Sequence, residues 1–272
     1  MRKFKLINSR GDTWDLNERN SFFNDPKGLG QEHKNEYEQI GTRFVKLNDG
    51  LKQKSIYGNI NFSGYKEYHD FSLFSQHTPL TLEYESYEKI YIDVSIDKLE
   101  KTEMSTGWIV CPVKISGLTT FYKLARSENS GDGNTGKIYR YSYPYKYADY
   151  STGSVEIESD SAIVSPARLT IIGPCTNPSW THYLNGVVKT SGKVNCVIQD
   201  GHRLVVDDMK TPFEIAEYDS TGTFVQSLYQ DSDFSTERFV FLGFGNNKIS
   251  FSHEGDTVLS LIAEGRIEYE TL

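Results

Sequence analysis

The sequence predicts a mainly β chain built as two β-rich domains, with a single helix. Three observations carry this. From Gly173 to Leu272 short apolar runs alternate with turn signals, and no run has helical period. Aromatic residues are abundant, 18 Tyr and 15 Phe, and such side chains favour half-buried strands. Only around Tyr65, Tyr68, Phe71 (with Leu73) and Phe74 do apolar residues recur at three- and four-residue steps, which makes one helical face.

The elements follow in order. Phe4–Asn8 and Thr13–Leu16 flank Ser9-Arg10-Gly11-Asp12, a hairpin signature. Asn17–Gln39 reads as irregular, centred on Asn24-Asp25-Pro26-Lys27-Gly28-Leu29-Gly30. Phe44–Leu47 and Ile56–Phe62 read as strands separated by Asn48-Asp49-Gly50. Ser63 is the expected cap of the helix, and Pro79 ends that segment. Leu80–Tyr84, Lys89–Ile96, Trp108–Ile115 and Leu118–Ala125 resume β character, and Ser127–Gly136 reads as a polar loop. The Tyr-dense stretch 139–147 precedes Ala148–Gly153, where the domain boundary is expected, giving domains 1–150 and 151–272. Beyond it, Val155–Glu158 and Pro166–Ile172 open a sandwich. Turns follow at Gly173–Trp180, Asn185-Gly186, Gln199–His202, Asp219–Gly222 and Gly243–Lys248.

Composition excludes several function classes. The net charge of −8 argues against a chain held to nucleic acid by a basic surface. No apolar run reaches membrane-spanning length, so no membrane partner is expected. The start, Met-Arg-Lys-Phe-Lys-Leu-Ile-Asn, lacks a signal-like apolar stretch. The expectation is synthesis in the cytoplasm, with exit only as part of something larger. Three cysteines without a C-x-x-C pair read as small packing residues rather than a disulfide or zinc framework.

Motifs of catalytic or binding chemistry are thin. Gly131–Gly136 spells G-x-G-x-x-G but lacks the strand before and helix after that hold a pyrophosphate, and Tyr143 stands where a calcium loop needs Glu. Arg10-Gly11-Asp12 is read as a turn, and Asn61-Phe62-Ser63 only as a formal glycosylation triplet. The six histidines have no metal spacing. His202 with Asp207 and Asp208 lacks a nucleophile elbow. Asp93, Asp97, Glu83 and Glu85 read as solvated strand positions. The expectation is no enzyme, no cofactor and no metal. One binding reading is a sugar-stacking platform of Trp180, His182, Tyr183 and Arg203; the alternative for Trp180 is a core ring closing the sandwich.

Several segments resemble one family in the same order. They are Asn8-Ser-Arg-Gly11, Asp15-Leu-Asn17, Pro26-Lys-Gly-Leu-Gly30, Tyr143-Pro-Tyr-Lys146, Gly173–Trp180, Asp200–Asp207, Leu228–Phe239 and Gly243–Ser252. Together they resemble the distal tail proteins of siphophages and prophages of Gram-positive bacteria, across essentially the whole chain. The resemblance implies an N-terminal domain that assembles a homohexameric ring and a C-terminal galectin-like sandwich. It implies a ring at the virion tail tip, with one face on the tail tube protein and the other on the tail-associated hub protein. The sandwich then carries receptor-binding or other peripheral baseplate proteins. Some members carry inserted carbohydrate-binding modules; this chain has no insertion large enough for one. Within that frame Asn17–Gln39, with Phe22, Phe23, Pro26 and Leu29, is expected to be an arm wrapping a neighbour. An acidic ring would let DNA pass without holding it. The alternative is a carbohydrate-binding module that docks the particle to cell-wall glycans.

Overall fold

Alternating burial along most strands shows how period two builds this chain: one face of each strand enters a core and the other meets water. The computed structural model describes residues 2–30, 32–129, 152–255 and 260–271. It is mainly β, and it divides into two compact units, Met1–Lys123 with Glu268–Leu272, and Leu124–Ile267. The boundary stretch Ala148–Tyr150, the Tyr-dense stretch 139–147 and the Gly131–Gly136 motif lie outside the described residues.

The first unit runs β1 (Lys3–Ile7), β2 (Thr13–Asp15), β3 (Asn17–Glu18), β4 (Ser21–Lys27), β5 (His33–Ile40), β6 (Arg43–Leu51) and β7 (Ser55–Phe62). Then come α1 (Tyr65–Phe74), β8 (Leu80–Glu85), β9 (Lys89–Leu99), β10 (Ile109–Gly117) and β11 (Phe121–Asn129), the last of which ends in the second unit. Hydrogen-bonded neighbours run β11-β9-β10-β7-β4-β3, with β8 on β9, β1 on β8 and β2 on β1. Ile90, Ile92 and Val94 alternate inward along β9, and Ile109, Cys111, Val113 and Ile115 do so along β10. The helix buries Phe71 and Phe74; Phe71 meets Trp14 and Phe62, both at a ring separation of 5.3 Å. Tyr269, from the returning C-terminus, packs against the same core.

Four local expectations are corrected here. Asn17–Gln39 is not irregular: it holds β3, β4 and most of β5. Asn48–Gly50 is no turn, because β6 runs through it, its register shifting opposite Glu36 and Tyr37. The helix cap is Gly64 rather than Ser63, and no side chain caps it. Ser63 is instead committed to the sheet, its N–H donating to the Asn20 carbonyl at 3.0 Å. Ser127–Asn129, expected in a loop, continue β11.

The second unit contains β12 (Thr152–Ser159), β13 (Ser165–Ile172), β14 (Cys175–Leu184), β15 (Val187–Lys193), β16 (Val197–Ile198) and β17 (Arg203–Asp207). It continues with β18 (Glu214–Tyr218), β19 (Phe224–Ser227), β20 (Phe241–Leu242), β21 (Gly245–Glu254) and β22 (Ser260–Tyr269), whose last residues belong to the first unit. One sheet is ordered β12-β21-β14-β15, with β16 on β14; the other runs β19-β18-β17-β13-β22, with β20 on β13. The two face each other. A Cβ at Gly265 of β22 would stand 3.9 Å from Ile157 Cδ1 of β12 and 2.4 Å from Leu242 Cδ1. The Asn185-Gly186 turn joining β14 to β15 has φ of 51° and 83°, the left-handed pair that a two-residue hairpin needs. Gly243–Lys248, expected as a turn, is mostly strand, since β21 begins at Gly245.

Candidate interaction surfaces

The four expected arm residues do not form a free arm. Phe23 is buried in the core and meets Phe4 edge-on at 5.2 Å. Phe22, on the opposite face of β4, packs on Trp108 at 5.1 Å. Leu29 packs against the core cluster, and Pro26 is half-buried where the register of β4 on β7 shifts between Asn24 and Lys27. The reason is pairing: β4 lies between β7 and β3 and forms part of the sheet.

The exposed projection begins a few residues later. β5 and β6 form a two-stranded sheet of their own, in register from His33↔Leu51 to Ile40↔Arg43. At about 3.3 Å per residue, eight residues reach roughly 25 Å. Its base is tied down: Lys52 pairs with Glu32, and the buried Lys54 donates from Nζ to the Gly30 carbonyl at 2.7 Å. Its surface is apolar where water should be. Phe44 is 71% exposed and Leu47 61%, and Tyr37, Ile40, Val45 and Leu51 are exposed as well. Isolated two-stranded hairpins are marginal in water, and exposed apolar clusters of this kind mark interaction surfaces.

The four platform residues are not brought together as a sugar-stacking face. Trp180 is 2% exposed, and its indole N–H donates to the Arg238 carbonyl at 3.0 Å. Its ring fills the space over Gly192, where a Cβ would stand 2.3 Å from Cζ2. His182 is also interior, with Nε2 3.1 Å from Asn247 Oδ1. Burial pushes its pKa down, so the ring is neutral near pH 7 and donates that bond. Asn247 completes a closed network, accepting from the Gly243 N–H at 2.9 Å and donating to the Gly243 carbonyl at 2.8 Å. Tyr183 is half-buried and follows His182 where the register of β14 on β15 shifts. Arg203 lies on the other sheet and donates to the carbonyls of Asp219 and Ser220. The Trp180 platform is thus corrected to a core ring.

The other groups named from the sequence make contacts within the fold. His202 Nδ1 lies 2.7 Å from Glu217 Oε1, not beside Asp207 or Asp208. Asp93 accepts from Thr81 Oγ1 and Tyr122 OH, both at 2.9 Å, and Asp97 from Ser116 Oγ at 2.6 Å. Burial pushes the Cys175 and Cys196 thiols up to about 11 and about 12, far from thiolate chemistry. Asn61 is buried in β7, out of reach of glycosylation. In the Arg10-Gly11-Asp12 turn the Asn8 side-chain oxygen accepts from the N–H of Arg10 and of Asp12, each at 3.0 Å. Among the described residues no group of three or more His, Cys, Asp or Glu is placed to hold a metal, and no helix is long and apolar enough to cross a membrane.

Comparison with known proteins meets this geometry. Residues 3–118 match the family described as distal tail protein, N-terminal domain. No curated protein matches the chain by sequence. A chain in the structure of the phage P2 baseplate in its activated conformation with Ca is similar over 100% of both chains, at 16% identity and a TM-score of 0.68. The same baseplate with Sr gives the same values. The SPP1 Dit (gp 19.1) protein, a hub of the adsorption apparatus in phages infecting Gram-positive bacteria, is similar at 10% identity and a TM-score of 0.62. That match covers 96% of this chain and 98% of the other. At such identities the structural likeness speaks for the fold.

Proposed function

We propose that this chain, which carries the distal tail protein N-terminal domain over residues 3–118, is the structural hub of a phage tail tip and closes into a hexameric ring. The observation that carries the ring is the β5–β6 hairpin. A self-contained two-stranded projection with six exposed apolar side chains gains most by lying on another copy, and a head-to-tail contact repeated by rotation closes a ring. In this reading one face of the ring meets the tail tube protein and the other the tail-associated hub protein. The second unit, compatible with a galectin-like sandwich, carries receptor-binding or other peripheral baseplate proteins. Each copy brings a net charge of −8, so a lumen lined by such chains repels phosphate and lets DNA through. The protein is made in the host cytoplasm, ends in the virion tail tip, and works by holding partners in register rather than by catalysis.

The test is solution mass by light scattering, with replacement of His33–Leu51 by a short turn. A species near six times 31.0 kDa for the intact chain, falling to monomer in the folded variant, is the expected result. A ring that survives loss of the hairpin would overturn this reading. The deletion must spare residues 17–32, because β3, β4 and Leu29 belong to the core.

A further inference from the structure

A cavity of about 740 Å³ opens in the second unit, walled by Phe213, Glu214, Ile215, Phe224, Ser227 and Tyr229. Its aromatic walls are exposed yet braced. Phe213 packs on Phe239 at 4.9 Å and on Phe241 at 6.2 Å. Phe224 is 54% exposed and meets Tyr218 edge-on at 5.9 Å. The rim is polar but internally satisfied: Lys210 pairs with Glu214, and Tyr218 OH donates to Glu214 Oε1 at 2.6 Å. Lys210 and Glu214 thus neutralise each other at the rim.

The same residues lie on an open sheet edge. β19 ends its sheet, so one side of its backbone has no strand partner among the described residues. All four of its residues, Phe224-Val225-Gln226-Ser227, are exposed. None is Lys or Pro, the residues that usually blunt such an edge. Beyond Ser227 the ladder onto β18 continues, Leu228 N–H donating to the Ile215 carbonyl at 2.8 Å, and Phe224 and Ser227 of β19, with Tyr229 beyond it, line the cavity. An unblunted edge offers ladder hydrogen bonds, and a contiguous apolar cavity offers a side-chain pocket. That pairing is how strand addition obtains both affinity and specificity.

We propose that β19 is a docking edge for an extended, uncharged peptide segment of another protein. The segment adds as a strand and seats an aromatic or branched aliphatic side chain in the Phe213–Phe224–Tyr229 cavity. Only the identity of the donor, a neighbouring tail-tip protein, rests on the hub reading.

The experiment pans a library of random linear 12-residue peptides against the full chain, then measures the consensus peptide by calorimetry and hydrogen exchange. Three results are expected. The consensus is uncharged, with apolar residues at alternate positions. Amides of 224–227 become protected on binding. Phe224→Ala and Val225→Lys, both surface changes that leave the melting temperature unchanged, each weaken binding at least tenfold. A charged or non-alternating consensus, or binding indifferent to both substitutions, overturns the proposal. So does binding of maltotriose or chitotriose that Phe224→Ala abolishes, which makes the cavity a sugar site. A fall in assembly mass on Val225→Lys also overturns it, since the edge then pairs with a second copy. The hub reading fails separately, through the hairpin variant's mass.

Discussion

Trp180 concentrates the residue-scale argument. Its ring fills the space that Gly192 leaves open, and its one polar atom is satisfied by the Arg238 carbonyl. Trp180→Ala should cost about 3–5 kcal/mol in urea unfolding, while Trp180→Phe, keeping most of the apolar area, costs less. A near-neutral Trp180→Ala would mean the ring is not a core element after all. Asp208 carries a pH signature. Burial pushes its carboxyl up to about 8, while its Oδ1 accepts from the Ala167 N–H at 2.5 Å. An unfolded Asp titrates near ~3.9, so over roughly pH 4 to 8 the folded state keeps a proton that the unfolded chain has released. Its contribution to stability is therefore full in acid and falls as pH rises through that window. Asp208→Asn keeps an acceptor for Ala167 and removes the titration. The variant should gain on the parent by an order of 1 kcal/mol or more between pH 5 and pH 8. Unfolding curves at those two pH values with equal differences would contradict the assignment.

At the scale of elements, the β5–β6 hairpin and the β4–β7 junction behave oppositely. The hairpin keeps its apolar side chains in water, so Phe44→Ser with Leu47→Ser should leave the melting temperature within a degree or two while lowering the solution mass. At the junction, Gly28 has φ of +86° and its absent Cβ would stand 2.0 Å from the Ser55 carbonyl oxygen. Gly28→Ala combines left-handed strain with a backbone clash and should cost at least ~2 kcal/mol by denaturant titration. The hairpin was poorly legible in the sequence because its apolar residues do not alternate. Tyr37, Ile40, Phe44, Val45 and Leu47 sit among charges on both faces, and Asn48-Asp49-Gly50 imitates a turn inside a strand. The usable signal was Gly41-Thr42 between two β-prone runs of similar length.

Across the whole molecule, the prediction concerns charge. A ring of chains that each carry −8 should leave duplex DNA unshifted in gel mobility even at about 50 mM salt, where a basic surface would bind strongly. Retention of DNA would exclude a lumen that merely lets it pass. At this scale the sequence was legible in outline, as β units with one helix and a distal-tail likeness. The return of Glu268–Leu272 to the first unit was not, since nothing local marks it.

By itself the sequence determined what depends on neighbours along the chain. Short apolar runs between turn signals set most strands, the three- and four-residue recurrence set α1 at Tyr65–Phe74, and Asn185-Gly186 set a tight turn. Tertiary structure alone decided which of those residues reach water. Trp180 and Phe23 look as available in the sequence as Phe44 and Phe224. The first two are enclosed by strands distant in sequence, and the last two have no such strand over them. Burial is a property of what packs across space, and hydrophobicity reads the same in a core as on a docking face.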